Sequence, residues 1–534
     1  MAMGLFHNSS TQTICLYISG TYLRGRLVPK DNKNYISIAS KMYVAGLGTI
    51  LLVLISCVLI FSSWKTLYQK HNLPPGPTPL PLIGNLMNIK RGKLVSSLMK
   101  LWEQYGAVYT LYFGIQPVIV LCGYDAVKEA LVDQAEDFGA RGKISSLDPV
   151  TQGYGLSFSN GERWRQLRHF TLKALRDFGM GKKSIEEKIQ EEALCLVEEF
   201  RKSGEMPTDP EKPIMKAVSN IFFTIVLGNR FEYNDETFSA LLAKVEEMFR
   251  LMSNTWSQIE NVLPKLMAYI PGPHKKRDAL GKQLILFLHE RIKANQETFD
   301  PNAPRDFIDE FLIKMEQEKK NPNSEFTMRN TLLTFYSIFL GGTETSTTTL
   351  KHGLLLLIKY PEIQAKLHME IDNVIGRNRT ANMIDRNSMP YMEAVINEIQ
   401  RFSDIIPLNV PRKVTKDVQF RGYCIPKDTE IYPLLCTVHH DAKYFSSPYE
   451  FNPSHFLDEQ GKFKKNNAMM AFSAGKRICP GESLTRMELF LFFTTILQNF
   501  TLTSPTHFTD NDVAPKMTGF INHPIQYKAS FISR

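Results

Sequence analysis

Residues 42–64 form a run of 23 residues without a charged side chain, and Lys41 and Lys65 bracket the run. A helix of this length extends about 30 Å or more, which is enough to cross the hydrocarbon core of a bilayer. A buried core helix is the alternative, but such helices are rarely apolar on every side over this length. The sequence therefore predicts a transmembrane anchor at 42–64.

The charges that flank this anchor disagree about its orientation. The basic residues that follow it, beginning with Lys65, favour a cytosolic C-terminal side. Residues 1–41 are also basic, and Asp31 is the one acid among them, which opposes their transfer into a lumen. A start at Met42 would remove the conflict, so we interpret residues 1–41 as an N-terminal extension that the mature protein can lack. If the extension is made and is luminal, Asn8 begins a glycosylation sequon.

The overall composition is that of a globular chain with an ample core. Hydrophobic residues make up 43% and charged residues 22%, which excludes a disordered chain. The seven cysteines are scattered without paired spacing, which favours a reducing compartment over a disulfide framework or a zinc site. The net charge of +9 suits a membrane surface or an acidic partner, and no basic run interleaved with aromatics indicates nucleic acid.

Hydrophobic periodicity predicts a mostly α fold with minor β structure in a single large catalytic domain behind the anchor. Residues 65–84 form a basic and proline-rich hinge, which proline keeps extended. Residues 85–534 form the domain, with a β-hairpin over 108–123 and short strands near 418–420, 430–435 and 524–531. Amphipathic patterns predict helices at 184–202, 235–252, 280–296, 328–360, 361–375, 391–403 and 482–498.

The run Phe472-Ser-Ala-Gly-Lys-Arg-Ile-Cys-Pro-Gly481 places one cysteine between glycines. A lone cysteine is usually a small buried hydrophobic residue. Here Gly475 and Gly481 would let the backbone approach a large flat group, and the helix predicted to follow would stabilise a thiolate at its N-terminus. Cys479 is therefore a candidate ligand or nucleophile.

Within the long helix at 328–360, the run Gly341-Gly-Thr-Glu-Thr-Ser346 is poor in helix formers. Two adjacent glycines cost about 1 kcal/mol each relative to alanine, and hydroxyl side chains compete for backbone hydrogen bonds. We expect the helix to be interrupted here. The interruption is either a packing kink or a widened groove that exposes the Thr345 hydroxyl and the Glu344 carboxylate to a ligand.

Two further pairs are unremarkable by themselves. Glu398 and Arg401 lie three apart on one helix face, and such pairs are mostly surface features. Trp164 and Arg168 lie four apart on another helix, where an amphipathic surface turn is the simpler interpretation.

Taken in order along the chain, these motifs resemble those of the cytochrome P-450 superfamily, and most closely its vertebrate microsomal family 2, over about residues 42–534. The resemblance implies that the Cys479 thiolate ligates haem iron, within a loop that includes Phe472, Gly475 and Gly481. It also implies that Thr345 hydrogen-bonds dioxygen and that Glu344 supplies protons through water. By the same resemblance, four residues bind the haem propionates or lie beside them: Trp164, Arg168, Arg412 and Arg477.

The resemblance assigns structural and substrate-contacting roles as well. Glu398 and Arg401 would form a structural ion pair with His455 as its third member. Substrate would contact Phe158, Phe339, Leu340, Phe520 and Ile521. A flavoprotein reductase would dock on the cysteine side, with Lys464, Lys465, Lys476 and Arg486 as candidate contacts.

The resemblance implies a single-pass enzyme of the endoplasmic reticulum membrane with its catalytic domain on the cytosolic face. It would insert one oxygen atom from dioxygen into small lipophilic substrates such as xenobiotics, fatty acids or steroids. Electrons would come from NADPH through the reductase, with a cytochrome b-type protein as a second possible donor. A peroxide isomerase or dehydratase of the same fold, and a non-catalytic haem-binding membrane protein, are the alternatives. The intact Glu344–Thr345 pair favours the monooxygenase over the isomerase.

Overall fold

The computed structural model describes residues 4–6, 13–18, 21–24, 32–68, 72–90, 92–177, 183–516 and 520–534, with side chains described for 44–62 and from residue 72 onward. The sequon at Asn8 lies outside these residues. The chain divides into two units, residues 1–71 and 72–534.

The described residues of the first unit form a small antiparallel sheet and a long helix. The strands are β1 (Gly4–Phe6), β2 (Thr13–Ile18) and β3 (Thr21–Arg24), paired in that order. Helix α1 spans Asn32–Tyr68, so it begins ten residues before the predicted anchor. Its part Val44–Ser62 is long and apolar enough to cross a membrane, and none of that part is buried. This is the property that the uncharged run predicts.

The second unit is mostly helical, as predicted. Its longer helices are α2 (Leu94–Tyr105), α6 (Gly161–Asp177), α7 (Lys183–Arg201), α8 (Glu211–Leu227), α9 (Glu236–Met252), α10 (Thr255–Val262), α12 (Pro273–Glu297), α13 (Phe307–Gln317), α14 (Met328–Lys359), α15 (Pro361–Val374), α16 (Pro390–Ser403) and α18 (Glu482–Asn499). Short helices connect them: α3 (Tyr124–Lys128), α4 (Asp148–Thr151), α5 (Gly155–Phe158), α11 (Pro264–Met267), α17 (Leu435–His439) and α19 (Asp510–Val513). The seven helices predicted from periodicity are all present, with ends shifted by a few residues.

The strands among the described residues of this unit form a five-stranded sheet and two small ribbons. In the sheet the order is β4 (Val108–Phe113), β5 (Gln116–Cys122), β10 (Glu430–Leu434), β7 (Arg412–Lys413) and β6 (Ala140–Arg141). Strand β5 pairs parallel with β10, and the other pairs are antiparallel. The ribbons pair β8 (Val418–Phe420) with β9 (Tyr423–Ile425), and β11 (Phe500–Thr503) with β12 (Ser530–Ser533). The hairpin is confirmed, whereas the tail strand is shorter and later than predicted.

The described part of the proline-rich segment packs on the edge of this sheet. Thr110 of β4 donates a backbone hydrogen bond to Pro75, and its own hydroxyl donates to Pro74. A Cβ at Gly76 would lie 2.0 Å from the Thr110 carbonyl oxygen, so a side chain there would prevent this contact. The residues 72–79 have no regular secondary structure, as the prolines predict.

Helix α14 runs through the core and positions the site. Thr327 caps its N-terminus by accepting a hydrogen bond from the Asn330 amide. A Cβ at Gly353 would lie 2.2 Å from the Phe493 ring of α18, so this glycine allows the two helices to approach closely. The cysteine loop directly precedes α18, and the close approach of α14 and α18 therefore brings the two principal motifs together.

The predicted interruption of α14 at Gly341 and Gly342 is wrong, because the helix is continuous from Met328 to Lys359. The hydroxyl side chains donate to carbonyls within the helix, and the helix continues through them. Thr345 donates to the Gly341 carbonyl at 2.6 Å and Thr347 donates to the Thr343 carbonyl at 2.7 Å. A Cβ at either glycine would meet nothing within 4 Å, so the glycines leave open space beside an intact helix.

Candidate functional site

One interior cavity is lined by both principal motifs. Thr345, Gly341 and Gly342 of α14 form part of its wall, and Cys479 with Phe472 and Gly481 form another part. Most of the remaining wall is apolar and comes from α8, α9, α14 and the C-terminal segment. A thiol and a hydroxyl therefore face the same enclosed space.

The loop before α18 holds Cys479 in a defined turn. The Cys479 amide donates to the Phe472 carbonyl at 3.0 Å, which closes the loop. Burial in the protein raises the pKa of the Cys479 thiol, a hydrogen bond from the Gly481 backbone opposes this, and the charge of Arg168 also lowers it. The residue is nevertheless exposed, and it lines the cavity.

Gly475 serves a different purpose from the one predicted. It has a φ of +70°, and a Cβ there would lie 1.6 Å from the Leu131 carbonyl oxygen. The glycine is thus required by a contact with the protein's own backbone, and it is not part of the cavity lining, whereas Gly481 is.

Four arginines converge beside the cavity. Arg168 donates to the Ile478 carbonyl at 2.7 Å, next to the cysteine. Arg477 lies with its guanidinium 3.8 Å from the centre of the Trp164 ring and donates to the carbonyls of Gly139 and Ser159. Arg412 donates to the Ser473 hydroxyl, and Arg141 donates to backbone carbonyls.

These arginines lack anionic partners. None of the carboxylates in the described part of the chain forms an ion pair with Arg141, Arg168, Arg412 or Arg477. Nε of Arg412 and Nη1 of Arg477 are buried without any hydrogen-bond acceptor. Burial followed by the charges of neighbouring arginines lowers the pKa of Arg412 well below its usual value and that of Arg477 to about 8. A concentration of buried positive charge of this kind is costly unless an anion is present.

Arg141 was missed by the sequence reasoning. It lies on β6, and the antiparallel register places it directly opposite Arg412 of β7. Burial and the Arg168 charge lower its pKa to about 10. No local signal identifies it, because β6 contains two residues and its partner strand lies far along the chain.

Glu344 does not face the cavity, contrary to expectation. Successive helix residues point about 100° apart, and here Thr345 lines the cavity whereas Glu344 does not. The Glu344 carboxylate lies on the back of α14, where it accepts from the Thr348 hydroxyl at 3.2 Å and is 3% exposed. Burial raises its pKa to about 7, and the negative charge of Glu211 adds to the effect.

Not all of the predicted substrate contacts lie on the cavity wall. Phe158, Leu340, Phe520 and Ile521 line the cavity. Phe339 instead lies in the core, fully buried, with its ring 5.1 Å from those of Phe222 and Phe223. Several wall residues were not predicted, because they come from helices whose apolar faces resemble ordinary core: Val218, Phe222, Ile225, Phe249, Met252 and Ser337.

The Glu398–Arg401 pair lies far from the surface. Both side chains have no exposed area, and Arg401 donates to both carboxylate oxygens of Glu398 at 2.7 Å. His455 Nδ1 lies 3.2 Å from both oxygens, as the motif implies. The sequence alone favoured a surface pair, and the structure buries it.

Two of the basic residues proposed for partner docking are engaged by the protein's own carboxylates. Lys476 is paired with Glu136, and Arg486 lies 3.0 Å from Glu482. Lys464 and Lys465 are exposed.

A second cavity, of about 580 Å³, lies between α10, α11 and the five-stranded sheet. It shares Met252, Asn409 and Phe520 with the first cavity. No cysteine or arginine occurs among its described lining residues, so the chemistry is concentrated in the first cavity.

Comparison with known proteins agrees with this geometry. A sequence profile described as Cytochrome P450 matches residues 74–531. The chain is 51% identical to cytochrome P450 2G1 of Rattus norvegicus over 494 residues, which cover 92% of this chain and 100% of the relative. It is 50% identical to cytochrome P450 2A6 of Homo sapiens over 484 residues, which cover 91% of this chain and 98% of the relative. The chain therefore belongs to the cytochrome P450 family of haem-thiolate monooxygenases.

Proposed function

We propose that this monooxygenase inserts one atom of dioxygen into small lipophilic substrates at the cavity between α14 and the Cys479 loop. The observation that carries the proposal is the coincidence of a cavity-facing thiol with buried arginines that lack an anion. NADPH would supply the electrons through a flavoprotein reductase. The family implies haem, dioxygen and a redox partner, and the particular donor is part of the proposal.

The residues present fit a haem. A Cys thiolate is one of the ligands that hold haem iron in proteins, and Cys479 would provide it from the cavity wall. Its two propionates need cationic donors, and Arg141, Arg168, Arg412 and Arg477 have no carboxylate partner within the described chain. Two anionic groups would relieve the mutual repulsion of these arginines and satisfy the buried nitrogens of Arg412 and Arg477. Phe472 and Gly481 would lie beside the ring, and Trp164 would hold Arg477 in place.

When bound, the haem supplies reductive activation of dioxygen, with the thiolate favouring O–O cleavage. The chain's own residues would manage protons and water. The Thr345 hydroxyl lies on the cavity wall and would hydrogen-bond oxygen held there. Burial raises the pKa of Glu344 to about 7, so its carboxyl group can both hold and release a proton near neutral pH, and it would supply that proton to the site through water and Thr345.

The cavity wall supports a lipophilic substrate. Phe158, Leu340, Phe520 and Ile521 are joined on the wall by further aromatic and aliphatic side chains. An apolar lining favours apolar ligands and excludes bulk water from the reaction. Gln400 and Asn409 are polar members of the wall that would orient a substrate with a carbonyl or hydroxyl group.

The apolar part of α1 suits anchoring in a membrane, for which we propose the endoplasmic reticulum, with residues 85–534 on the cytosolic face. The reductase would contact the outside of the cysteine loop through Lys464, Lys465, Lys476 and Arg486. We retain the proposal that residues 1–41 are an extension that the mature protein can lack. A cytochrome b-type donor would use the same basic surface.

Isotope labelling of the product tests this function. The full chain, loaded with haem and reconstituted with NADPH and reductase in vesicles, is incubated under ¹⁸O-labelled dioxygen with a panel of lipophilic compounds. We expect products that carry one labelled oxygen atom and that require both NADPH and reductase. Conversion of organic hydroperoxides without NADPH or reductase, and no labelled product, would identify the peroxide isomerase instead.

A further inference from the structure

The second cavity, between α10, α11 and the five-stranded sheet, is not used by the proposed function. Its volume of about 580 Å³ is within the range of small-molecule sites, which is about 300–1,000 Å³. Most of its wall is apolar and comes from α10, α11 and the segment that leads into α2. A space of this size and lining suits a lipophilic ligand, and the polar groups on its wall determine which class of ligand.

The formal charge of this wall is positive. Lys90 and Lys143 line the cavity, and no Asp or Glu occurs among its lining residues in the described part of the chain. Asp148 forms an ion pair with Lys143 at 3.8 Å from outside the lining, and both side chains are well exposed. Exposed ion pairs of this kind contribute little to stability. The ammonium group of Lys143 is therefore available to an anion in the cavity.

Tyr432 of β10 brings to the same wall a donor that the protein does not use. The residue is 9% exposed and lines the cavity, and no described residue forms a hydrogen bond with its hydroxyl group. Burial, followed by the charge of Glu430, raises the pKa of this hydroxyl group, so it remains a donor. A buried tyrosine usually has a hydrogen-bond partner. An acceptor within the cavity would supply the one that is missing here.

Lys143 and Tyr432 lie on the same side of the sheet. Side chains two apart on a strand project from one face, so Glu430 and Tyr432 share a face of β10. Glu430 accepts from the Lys143 amide at 3.0 Å, which places Lys143 beside that face. Burial raises the pKa of Glu430, which reduces its repulsion of an anion. The flexible stem of Lys143 can therefore bring its ammonium group and an anion toward the Tyr432 hydroxyl.

We propose that the second cavity binds a lipophilic carboxylic acid, with its carboxylate held by Tyr432 and Lys143 and its hydrocarbon part against α10 and α11. A carboxylate accepts from a hydroxyl group and pairs with an ammonium group, so it satisfies both polar features at once. A neutral ligand would leave the Lys143 charge unmatched, and a cationic ligand would be repelled by it. The site does not depend on the proposed function, because binding involves no oxygen insertion.

A ligand in this site would also contact the wall of the cavity that holds Cys479. Met252, Asn409 and Phe520 line both cavities, so they lie between the two spaces. A ligand packed against one side of these residues restricts their movement away from the other side. The bound acid would thus change the space that is open to a substrate without itself contacting Cys479, which does not line the second cavity.

Fluorescence quenching tests the site, because each cavity has its own tryptophan. Trp256 lines the second cavity and Trp164 lines the first. Haem-loaded full chain in detergent is titrated at neutral pH with 12-bromododecanoic acid, whose bromine atom quenches nearby indoles, or with 12-bromododecanol. Comparison among variants at one detergent concentration cancels the partition of each ligand into micelles. We expect saturable quenching by the acid that is lost in Trp256→Phe and retained in Trp164→Phe.

Two replacements with matched controls test the polar contacts. Tyr432→Phe should weaken binding of the acid about tenfold, as expected for a hydrogen bond to a charged group. Lys143→Met should weaken it about threefold, as expected for an exposed ion pair, and should leave binding of the neutral alcohol unchanged. Tyr269→Phe and Lys265→Met are the controls, because both residues are exposed in or next to α11 and neither lines the cavity. Acid binding in both controls should equal that of the wild type.

The opposite results would overturn the proposal. Quenching that persists in Trp256→Phe but is lost in Trp164→Phe would place the acid in the first cavity. Acid binding that is unchanged in Lys143→Met, or that falls there together with alcohol binding, would show that no carboxylate pairs with this lysine. Lys143 is exposed, so its replacement tests the site even if Tyr432→Phe does not fold. The carbon monoxide spectrum of the same samples tests the proposed function separately.

Discussion

Two sets of buried arginines differ in how completely their hydrogen bonds are satisfied. Arg401 donates to both oxygens of Glu398 and to the carbonyls of His439, Pro448 and Glu450. Arg412 and Arg477, which are also buried, have no carboxylate in the described chain and each leaves a nitrogen unpaired. The first arrangement is complete within the polypeptide. The second is incomplete, and an anionic ligand would complete it.

Two buried carboxyl groups repeat this contrast. Glu398 accepts from Arg401, His455 and the Asn452 amide. Glu488 of α18 has one hydrogen bond, from the Ser346 hydroxyl at 2.8 Å. Burial raises the pKa of Glu488 to about 8. A satisfied buried charge indicates a structural element, whereas an unsatisfied one indicates a ligand or a bound proton.

The largest effect on stability is expected when one member of the fully hydrogen-bonded Glu398–Arg401–His455 cluster is replaced. Arg401→Met leaves the Glu398 charge buried without a cation, so the free energy of unfolding should fall by about 3–5 kcal/mol. Urea unfolding of the haem-loaded protein in detergent measures this. Arg201→Met is the control, since the Arg201–Glu198 pair is exposed and its loss should cost less than about 1 kcal/mol. An Arg401 variant as stable as the control would contradict a structural role for the cluster.

The second effect concerns the unsatisfied arginines. Arg477→Met removes a charge-assisted donor for a haem propionate, equivalent to about 1.5–3 kcal/mol, or a roughly 10- to 100-fold faster loss of haem. Transfer of haem to apomyoglobin measures the rate, and circular dichroism should show an intact fold. Arg165→Met is the control, because Arg165 is exposed on the helix that carries Arg168. If Arg477→Met destabilises the fold without accelerating haem loss, Arg477 has a structural role like that of Arg401 and does not bind a propionate.

The third effect is a pH dependence at Glu488. Burial holds the pKa of this carboxyl group at about 8 in the folded protein, while the unfolded chain releases the proton near the ordinary pKa of 4.5. Folding therefore takes up a proton in this window, and stability falls as the pH rises, by about 1.4 kcal/mol per unit. Glu488→Gln should match the wild type near pH 5 and become progressively more stable relative to it toward pH 8, in urea unfolding.

Ser346→Ala sharpens this third comparison. The Ser346 hydrogen bond lowers the pKa of Glu488, so its loss should extend the pH dependence to higher pH. A constant difference between Glu488→Gln and the wild type from pH 5 to pH 8 would show that Glu488 does not carry a proton in the folded protein.

The sequence predicted those features that depend on local pattern. Helical periodicity located the long helices, the uncharged run located the apolar part of α1, and the Cys479 motif located the loop before α18. Cys479 and Thr345 meet in one cavity because each motif adjoins a helix that packs in the core. These features depend on residues close together in the chain.

The features that the sequence did not predict depend on contacts between residues far apart in the chain or on the direction in which a side chain points. Arg141 acquires its place by pairing across a sheet with Arg412. Glu344 points away from Thr345 because of helical geometry, and Phe339 faces the core because α8 packs against that side of α14. His523 has no spacing partner in the sequence, and its neighbour Glu344 is evident only after folding.

The carbon monoxide spectrum of the reduced protein tests the central claim most directly. We expect the haem-loaded wild type to show the band of a thiolate-ligated haem. Cys479→Ala should lose that band while its circular dichroism remains that of a mostly helical protein. A thiolate-type band that persists in Cys479→Ala would show that another residue ligates the iron, and it would contradict the assignment of this cavity as the haem site.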